Sequence, residues 1–253
     1  MQIGFVNYIN SFPIFKGLSL VGLKAGFANP RAISDLLVKQ KLGLGQISIF
    51  RYLKNKRQFD CLDDFCVASK KDQIDSVLFF SEYQNLAEIK NKTKILITSH
   101  STASFNLLKI ILEKFYKVKS DYFYAQIEQD NLESLKNFLV IGDLSLKIEN
   151  KIKKLYKFDL AKIWYQKTKL PFVFSVFVKN KNYQEKNIEF FIQTLLKNLE
   201  RNLSNLDEFS KRVAEEDSLG IPAKRVHDYL RLISYNLRPE DRESIKLFES
   251  LLF

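Results

Sequence analysis

Apolar residues fall along the chain in short runs separated by stripes at helical spacing, a pattern that predicts alternating strands and helices. A run at residues 3–6 leads into Asn7-Tyr8-Ile9-Asn10-Ser11-Phe12-Pro13, where Asn10 or Ser11 caps a short helix with Pro13 in its first turn. A small strand around Gly26-Phe27 precedes a helix beginning near Pro30, with Ile33, Leu36, Leu37 and Leu42 on one side. The next strand is expected at residues 46–50, with Gly43 and Gly45 read as a helix C-cap and turn before it. Residues 66–68 and 75–80 read as further strands. The second is almost continuously apolar, which suits a strand of a parallel sheet covered on both faces.

The middle of the chain repeats the alternation. A strand at residues 94–98 leads to a helix over about 101–116, lined by Phe105, Leu108, Leu112 and Phe115. Strands follow at 121–125 and 138–142, each with a helix after it, and then an apolar strand at 170–178. From Gln184 onwards the pattern is helical only, with Ile188, Phe191, Ile192, Leu195, Leu196, Leu199 and Leu203 forming a long stripe. Asn205 with Glu208 opens a second closing helix as a capping box, Pro222 a third, and residues 240–252 form the last. This alternation predicts an α/β protein with mostly parallel sheets. Two such sets, joined through the strands at 75–80 and 170–178, predict two lobes with a cleft. Lobe I takes residues 1–82 and 175–253, with the closing helices packed back on it, and lobe II takes 83–174.

Composition narrows the class. The chain has 253 residues, 46% hydrophobic and 27% charged, which is the balance of a globular protein rather than a disordered one. No apolar run reaches the roughly 18 residues of a membrane span. The first fifteen residues carry no Lys or Arg, so a signal peptide's basic start is missing, and Cys61 and Cys66 alone make a poor disulfide framework. A cytoplasmic location is the expectation. The formal charge of +11 admits an anionic partner. Yet 31 Lys stand against 9 Arg, spread along the chain with mild crowding from Lys147 to Lys169. A solvated basic surface fits that spread better than a nucleic-acid groove. Neither nucleic acid nor membrane is expected as a partner.

The candidate chemistry is mostly hydroxyl. No Gly-x-x-x-x-Gly-Lys-Ser/Thr segment occurs, Gly43-Leu44-Gly45 lies in the wrong order for a dinucleotide fingerprint, and no Gly-x-Ser-x-Gly elbow is present. Two Cys and two His scattered along the chain argue against a metal site. Thr98-Ser99-His100-Ser101-Thr102-Ala103-Ser104, in contrast, follows a strand and opens a helix. Free N–H groups, the helix dipole and several hydroxyls there make a cradle for a carboxylate or phosphate, and one hydroxyl would suffice as a cap. Asn10-Ser11 occupies the matching place after the first strand, where ligands of open α/β sheets bind. Ser76, an isolated hydroxyl at the start of an apolar strand, needs a partner. Asp143 ends a strand, where it either caps the next helix or orients a hydroxyl. His100 beside the cradle is a candidate proton donor or a surface residue.

Five blocks carry a family resemblance. They are Val6-Asn7-Tyr8-Ile9-Asn10-Ser11-Phe12-Pro13-Ile14, Asp75-Ser76-Val77-Leu78-Phe79-Phe80-Ser81, Ile141-Gly142-Asp143-Leu144-Ser145-Leu146, Phe158-Asp159-Leu160 with Trp164, and Thr168-Lys169-Leu170-Pro171-Phe172-Val173-Phe174. In this order they resemble the chorismate dehydratases of the futalosine route to menaquinone. The resemblance implies a two-lobed, type II periplasmic-binding-protein-like fold used as a cytoplasmic enzyme, a hydro-lyase that converts chorismate to 3-[(1-carboxyvinyl)oxy]benzoate. In the resemblance Asn10 and Ser11 match the family's first ligand loop, Ser76 its strand serine, Ser101 and Ser104 its helix start and Asp143 its Gly-Asp pair. Taken with the hydroxyl-rich stretch read above, the expected site has Asn10 and Ser76 as the catalytic pair and Ser11, Ser99, His100, Ser101, Thr102, Ser104 and Asp143 as substrate-binding residues, without cofactor or metal, in a monomer or homodimer. Ala103 departs from the family's usual Thr, Lys71-Asp72-Gln73 from a glycine-containing turn, Lys169 from Gly and Phe177 from Trp. Two other readings stay open. The sister enzyme that makes 1,4-dihydroxy-6-naphthoate usually has a different N-terminal pattern, and a non-catalytic binding protein for a small carboxylate would need export.

Overall fold

The computed structural model describes residues 2–19, 24–148, 152–216 and 220–253. In chain order its elements begin with β1 (Gln2–Val6), α1 (Phe12–Phe15), β2 (Lys24–Ala28), α2 (Pro30–Val38), β3 (Leu44–Ser48), α3 (Ile49–Asn55) and β4 (Phe59–Ser69). Next come β5 (Val77–Ser81), β6 (Lys94–Thr98), α4 (Ala103–Ile110), β7 (Asp121–Ala125), β8 (Phe138–Ile141), α5 (Asp143–Ile148), β9 (Tyr156–Asp159) and α6 (Leu160–Thr168). The remainder is β10 (Val173–Asn180), α7 (Ile188–Ser204), α8 (Leu206–Glu216), α9 (Ala223–Leu230), β11 (Ile233–Ser234) and α10 (Pro239–Leu252). The chain forms two compact units, residues 1–67 with 174–237 and residues 68–173 with 238–253.

The first unit is built on a six-stranded sheet in the order β11-β4-β10-β3-β1-β2. β1 runs parallel to β2 and β3, and β10 is antiparallel to β3. Apart from Gln2, β1 is buried, as the apolar run demanded. Phe5 packs on Phe15, Phe27 and Phe177, with ring centroids 4.8, 5.7 and 6.1 Å away, and Phe177 in turn packs on Phe65. Gly45 is not part of a helix cap. It lies within β3 opposite Gly4, where an added Cβ would sit 2.6 Å from the Gly4 carbonyl oxygen. The left-handed residue after α2 is Gln40, at φ +56°. The strand expected to reach residue 50 stops at Ser48, whose hydroxyl accepts the Arg51 N–H and so starts α3.

The second unit has a five-stranded sheet in the order β7-β6-β8-β5-β9. β6 is parallel to β7 and β8, whereas β5 is antiparallel to both β8 and β9. The expectation of a parallel setting for residues 75–80 is therefore corrected. Every residue of β5 is buried, but cover on both faces does not fix strand direction. The boundaries expected for the lobes also change. The chain leaves the first unit within β4 and returns at the start of β10, so residues 68–82 belong to the second unit, with β5 between β8 and β9 in its sheet. Residues 238–253 belong there too. Phe248 of α10 packs edge-on against Phe172 at 4.9 Å, and the Trp164 indole donates to Ser244 Oγ at 3.1 Å. Arg238 anchors the start of α10 by donating to the carbonyls of Ser69 and Lys70. The earlier closing helices do stay with the first unit.

Candidate functional site

In the first unit, the loop after β1 folds as a 3-10 turn over Ile9–Ser11 and passes directly into α1. Ser11 stands at the N-cap position of α1 but makes no cap bond. Its hydroxyl, wholly buried, turns inward instead. Ser11 Oγ lies 2.7 Å from the side-chain amide of Gln46 and 3.0 Å from that of Asn10. The other end of the Gln46 amide lies 2.7 Å from Ser175 Oγ. Gln46 and Ser175 are both buried, on the neighbouring strands β3 and β10. Four polar side chains thus form one connected line, ending at half-buried Asn10.

Three further side chains fix this loop and the helix after it. The Tyr235 hydroxyl donates to the Asn10 carbonyl at 2.9 Å. Burial pushes the Tyr235 phenol well above its ordinary value, with Tyr229 and Cys66 adding to the effect, so it acts as a neutral donor. Helix α1 has only one turn, and its carbonyls are bound from α7. Asn198 donates to the carbonyls of Ile14 and Lys16 at 3.0 and 3.1 Å, and Asn202 to those of Pro13 and Lys16 at 2.9 and 3.0 Å. Buried amides on the face of α7 that also carries its apolar stripe do the work a C-cap would do in a longer helix.

In the second unit the candidates gather along one edge of the sheet. The registers Ile97 with Leu139, Val77 with Ile141 and Leu78 with Asp159 bring together the C-terminal ends of β6, β8 and β9 and the start of β5. Ser76 is buried beside β5, its carbonyl accepting the Gly142 N–H at 2.8 Å and the Ser145 hydroxyl at 3.3 Å. Among the described residues its own hydroxyl finds no hydrogen-bond partner. Asp75, just before it, is left-handed at φ +60°, a conformation Asp tolerates better than most residues. One oxygen of Asp159 accepts the N–H groups of Ile74 and Asp75 at 3.0 and 2.7 Å. The other accepts those of Ala161 and Lys162 at 2.9 and 3.1 Å. A single carboxylate therefore caps α6 and ties down the turn that presents Ser76. Burial pushes the Asp159 carboxyl above its usual range, and the N–H groups of Asp75, Ile74 and Lys162 pull it back.

The hydroxyl-rich stretch divides its duties. Thr98 Oγ1 donates to the Leu139 carbonyl at 2.7 Å, a tie between strands. Ser101, fully buried, accepts the Phe105 N–H at 3.0 Å and so caps α4, leaving its own proton to give. Thr102 stands at the N-cap position without a side-chain cap bond, and Ser104 is buried in the first turn. Ser99 is half-buried, and His100 is exposed. Asp143 is the first residue of α5, after Gly142 at φ +66°. Ala103 is buried at the first position of α4, where it offers no hydroxyl. Phe177 is a core ring, and Lys169 is the left-handed C-cap of α6 at φ +64°, the conformation that favours Gly.

Asn10 and Ser11 lie in the first unit, and Ser76, Ser99, His100, Ser101, Thr102, Ser104 and Asp143 in the second. Gln46, Ser175, Tyr235 and Asp159 lie outside the site expected from the sequence. A signal for two of them is present in the sequence, since Gln46 in Leu-Gly-Gln-Ile-Ser and Ser175 in Val-Phe-Ser-Val are polar residues within largely apolar strands, where a buried polar group needs a partner. Among the described residues, no group of three or more His, Cys, Asp or Glu is placed to hold a metal ion, and no helix is long and apolar enough to cross a membrane.

Comparison with known proteins adds to this geometry. The family described as menaquinone biosynthesis matches the chain over residues 1–253. A chorismate dehydratase of Thermus thermophilus is 26% identical over 267 residues, covering 99% of this chain and 94% of that protein. A protein of Archaeoglobus fulgidus shares the fold with a TM-score of 0.78 at 14% identity, over 98% of this chain and 95% of that one. The periplasmic aliphatic sulphonate binding protein of Escherichia coli does so with a TM-score of 0.68 at 13% identity, over 99% and 85%. The fold is that of the periplasmic binding proteins.

Proposed function

Because the chain belongs to the menaquinone-biosynthesis family, we propose that it is a chorismate dehydratase, a hydro-lyase that converts chorismate to 3-[(1-carboxyvinyl)oxy]benzoate and water. Support comes from the near full-length similarity to the Thermus thermophilus chorismate dehydratase. The observation that carries the chemistry is the loop after β1, whose buried hydroxyl and amides form a line ending at Asn10. A biosynthetic enzyme of this kind belongs in the cytoplasm.

The reaction asks little of ionisable groups. The C3–H bond breaks and its electrons enter the ring, the C4–O bond breaks, and the departing hydroxyl leaves with a proton as water. Aromatisation makes the step strongly downhill. The protein's tasks are to hold a flexible dianion in its reactive conformer, to exclude water and to assist proton movement. In this reading Asn10 and Ser76 hydrogen-bond the leaving hydroxyl or the enolpyruvyl carboxylate, and that carboxylate accepts the C3 proton. Ser101 and Ser104, with the opening N–H groups of α4, bind the other carboxylate. Ser11, Ser99, His100, Thr102 and Asp143 complete the polar surroundings.

The test is to mix purified protein with chorismate, adding neither metal nor cofactor, and to follow mass and ultraviolet absorbance. A product lighter by one water with an aromatic spectrum is expected. Bound but unchanged chorismate would overturn the enzymatic reading in favour of a small-carboxylate binding protein.

A further inference from the structure

The line from Ser175 to Asn10 contains a conflict of hydrogen-bonding roles. Both the Gln46 and the Asn10 amides turn their oxygens toward Ser11 Oγ, at 2.7 and 3.0 Å. Ser11 has one hydroxyl proton, so it cannot serve both. A half-turn of either amide, which exchanges nitrogen and oxygen and keeps the shape, resolves the conflict. The two choices present opposite ends of Asn10 to a ligand.

If Asn10 turns, its Nδ2 donates to Ser11 and its oxygen faces outward. Gln46 then donates to Ser175, whose own buried proton finds no acceptor among the described residues. If Gln46 turns, every link is satisfied in one direction. Ser175 donates to Gln46, Gln46 to Ser11 and Ser11 to Asn10 Oδ1, and both protons of Asn10 Nδ2 are offered outward. The second arrangement pairs one more buried donor, the Ser175 hydroxyl, which the first leaves without an acceptor. We propose that Gln46 is a positioning residue which, through Ser11, sets the direction of this relay and so presents the donor end of Asn10 to the reacting atoms. The inference rests on the role given to Asn10 above, because an anionic substrate and a leaving hydroxyl both need a donor there.

The relay predicts a pH-dependent variant. In Gln46→Glu, the ionised carboxylate introduced on β3 only accepts. It takes protons from both Ser11 and Ser175, and Asn10 must then turn its nitrogen inward. A protonated carboxyl both donates and accepts, as the amide does. Burial raises the pKa of such a carboxyl, in some proteins as far as about 8–9, so the change falls in an accessible range. The kcat for chorismate in Gln46→Glu should lie at least about tenfold below the parent above neutral pH and recover as pH falls, relative to the parent at each pH, with KM within about twofold. Gln46→Met and Ser175→Ala, which free the relay without reversing it, should each lower kcat by about two- to fivefold. Wild-type kcat in both would overturn the proposal, as would a Gln46→Glu ratio to parent that does not change with pH. These two variants also decide the matter if Gln46→Glu does not fold.

Asn10→Ala separates the two levels. Full turnover in that variant rejects the role of Asn10 itself, whereas its loss alongside a pH-independent Gln46→Glu ratio rejects only the relay. A readout without substrate is the side-chain amide resonance of Asn10 in isotopically labelled protein, identified by its loss in Asn10→Ala. It should shift with pH in Gln46→Glu and stay fixed in the parent over the same range. A resonance fixed in both overturns the relay whatever the substrate.

Discussion

Replacing Asp159 by Asn tests how much one carboxylate contributes to the second unit and to Ser76. The aspartate accepts four backbone N–H groups, two at the start of α6 and two in the turn at Ile74 and Asp75. An asparagine has one oxygen, so its nitrogen must face two of those donors. If the oxygen keeps the helix cap, the turn before Ser76 loses both bonds. Leaving two partly buried donors unpaired costs about 2–4 kcal/mol. Burial that disfavours the charged carboxylate is relieved in the neutral variant, which offsets part of this. A net loss of about 2 kcal/mol remains, equivalent to a fall of roughly 4–8 °C in Tm for a chain of this size. Left-handed Asp75 relaxes once its N–H is released, and Ser76 moves with it. Thermal unfolding by circular dichroism and kcat with chorismate are the two assays. A Tm unchanged from the parent would refute the accounting, and a lowered Tm with unchanged kcat would refute the link to Ser76.

Three other outcomes follow from the geometry. Asn10→Ala and Ser76→Ala should each lower kcat for chorismate by about tenfold or more, in steady-state assays, if their contacts belong to the transition state. Lys169→Gly should stabilise the protein by about 0.5–1 kcal/mol, because a left-handed conformation costs a side chain about 1–2 kcal/mol and the freer unfolded glycine returns only part of that. Its denaturation midpoint should rise, and a fall would mean the lysine side chain makes an unrecognised contact. Phe248→Ala removes a buried ring packed on Phe172 and Trp164 and should cost about 3–5 kcal/mol, read as a lower Tm.

Periodicity made much of this architecture legible, and its failures have local causes. The strands β6 and β7 fall where the apolar runs placed them, and the stripe of α7 is buried at Ile188, Phe191, Ile192, Leu195 and Leu199. β9 escaped notice because Tyr156 and Lys157 are exposed and the strand has only four residues. The passage between units was misplaced to residues 75–80, since a continuously apolar run reports burial and says nothing about which sheet covers it. At the site, the hydroxyl stretch before α4 and the loop after β1 were visible as clusters. The long-range partners of Gln46, Ser175 and Asp159 were not, because they lie 35 to 129 residues away in sequence. Such partnerships appear only once strands are side by side.

The placement of α10 bears on how the chain is made. On a ribosome the strands of the second unit emerge well before Ser244 and Phe248, the partners for which Trp164 and Phe172 must wait. Residues 174–237, which complete the other unit, come out in between. The half-built second unit must therefore carry an uncovered aromatic surface while those intervening residues are made, a window in which a chaperone, slow decoding or a premature stop decides the yield.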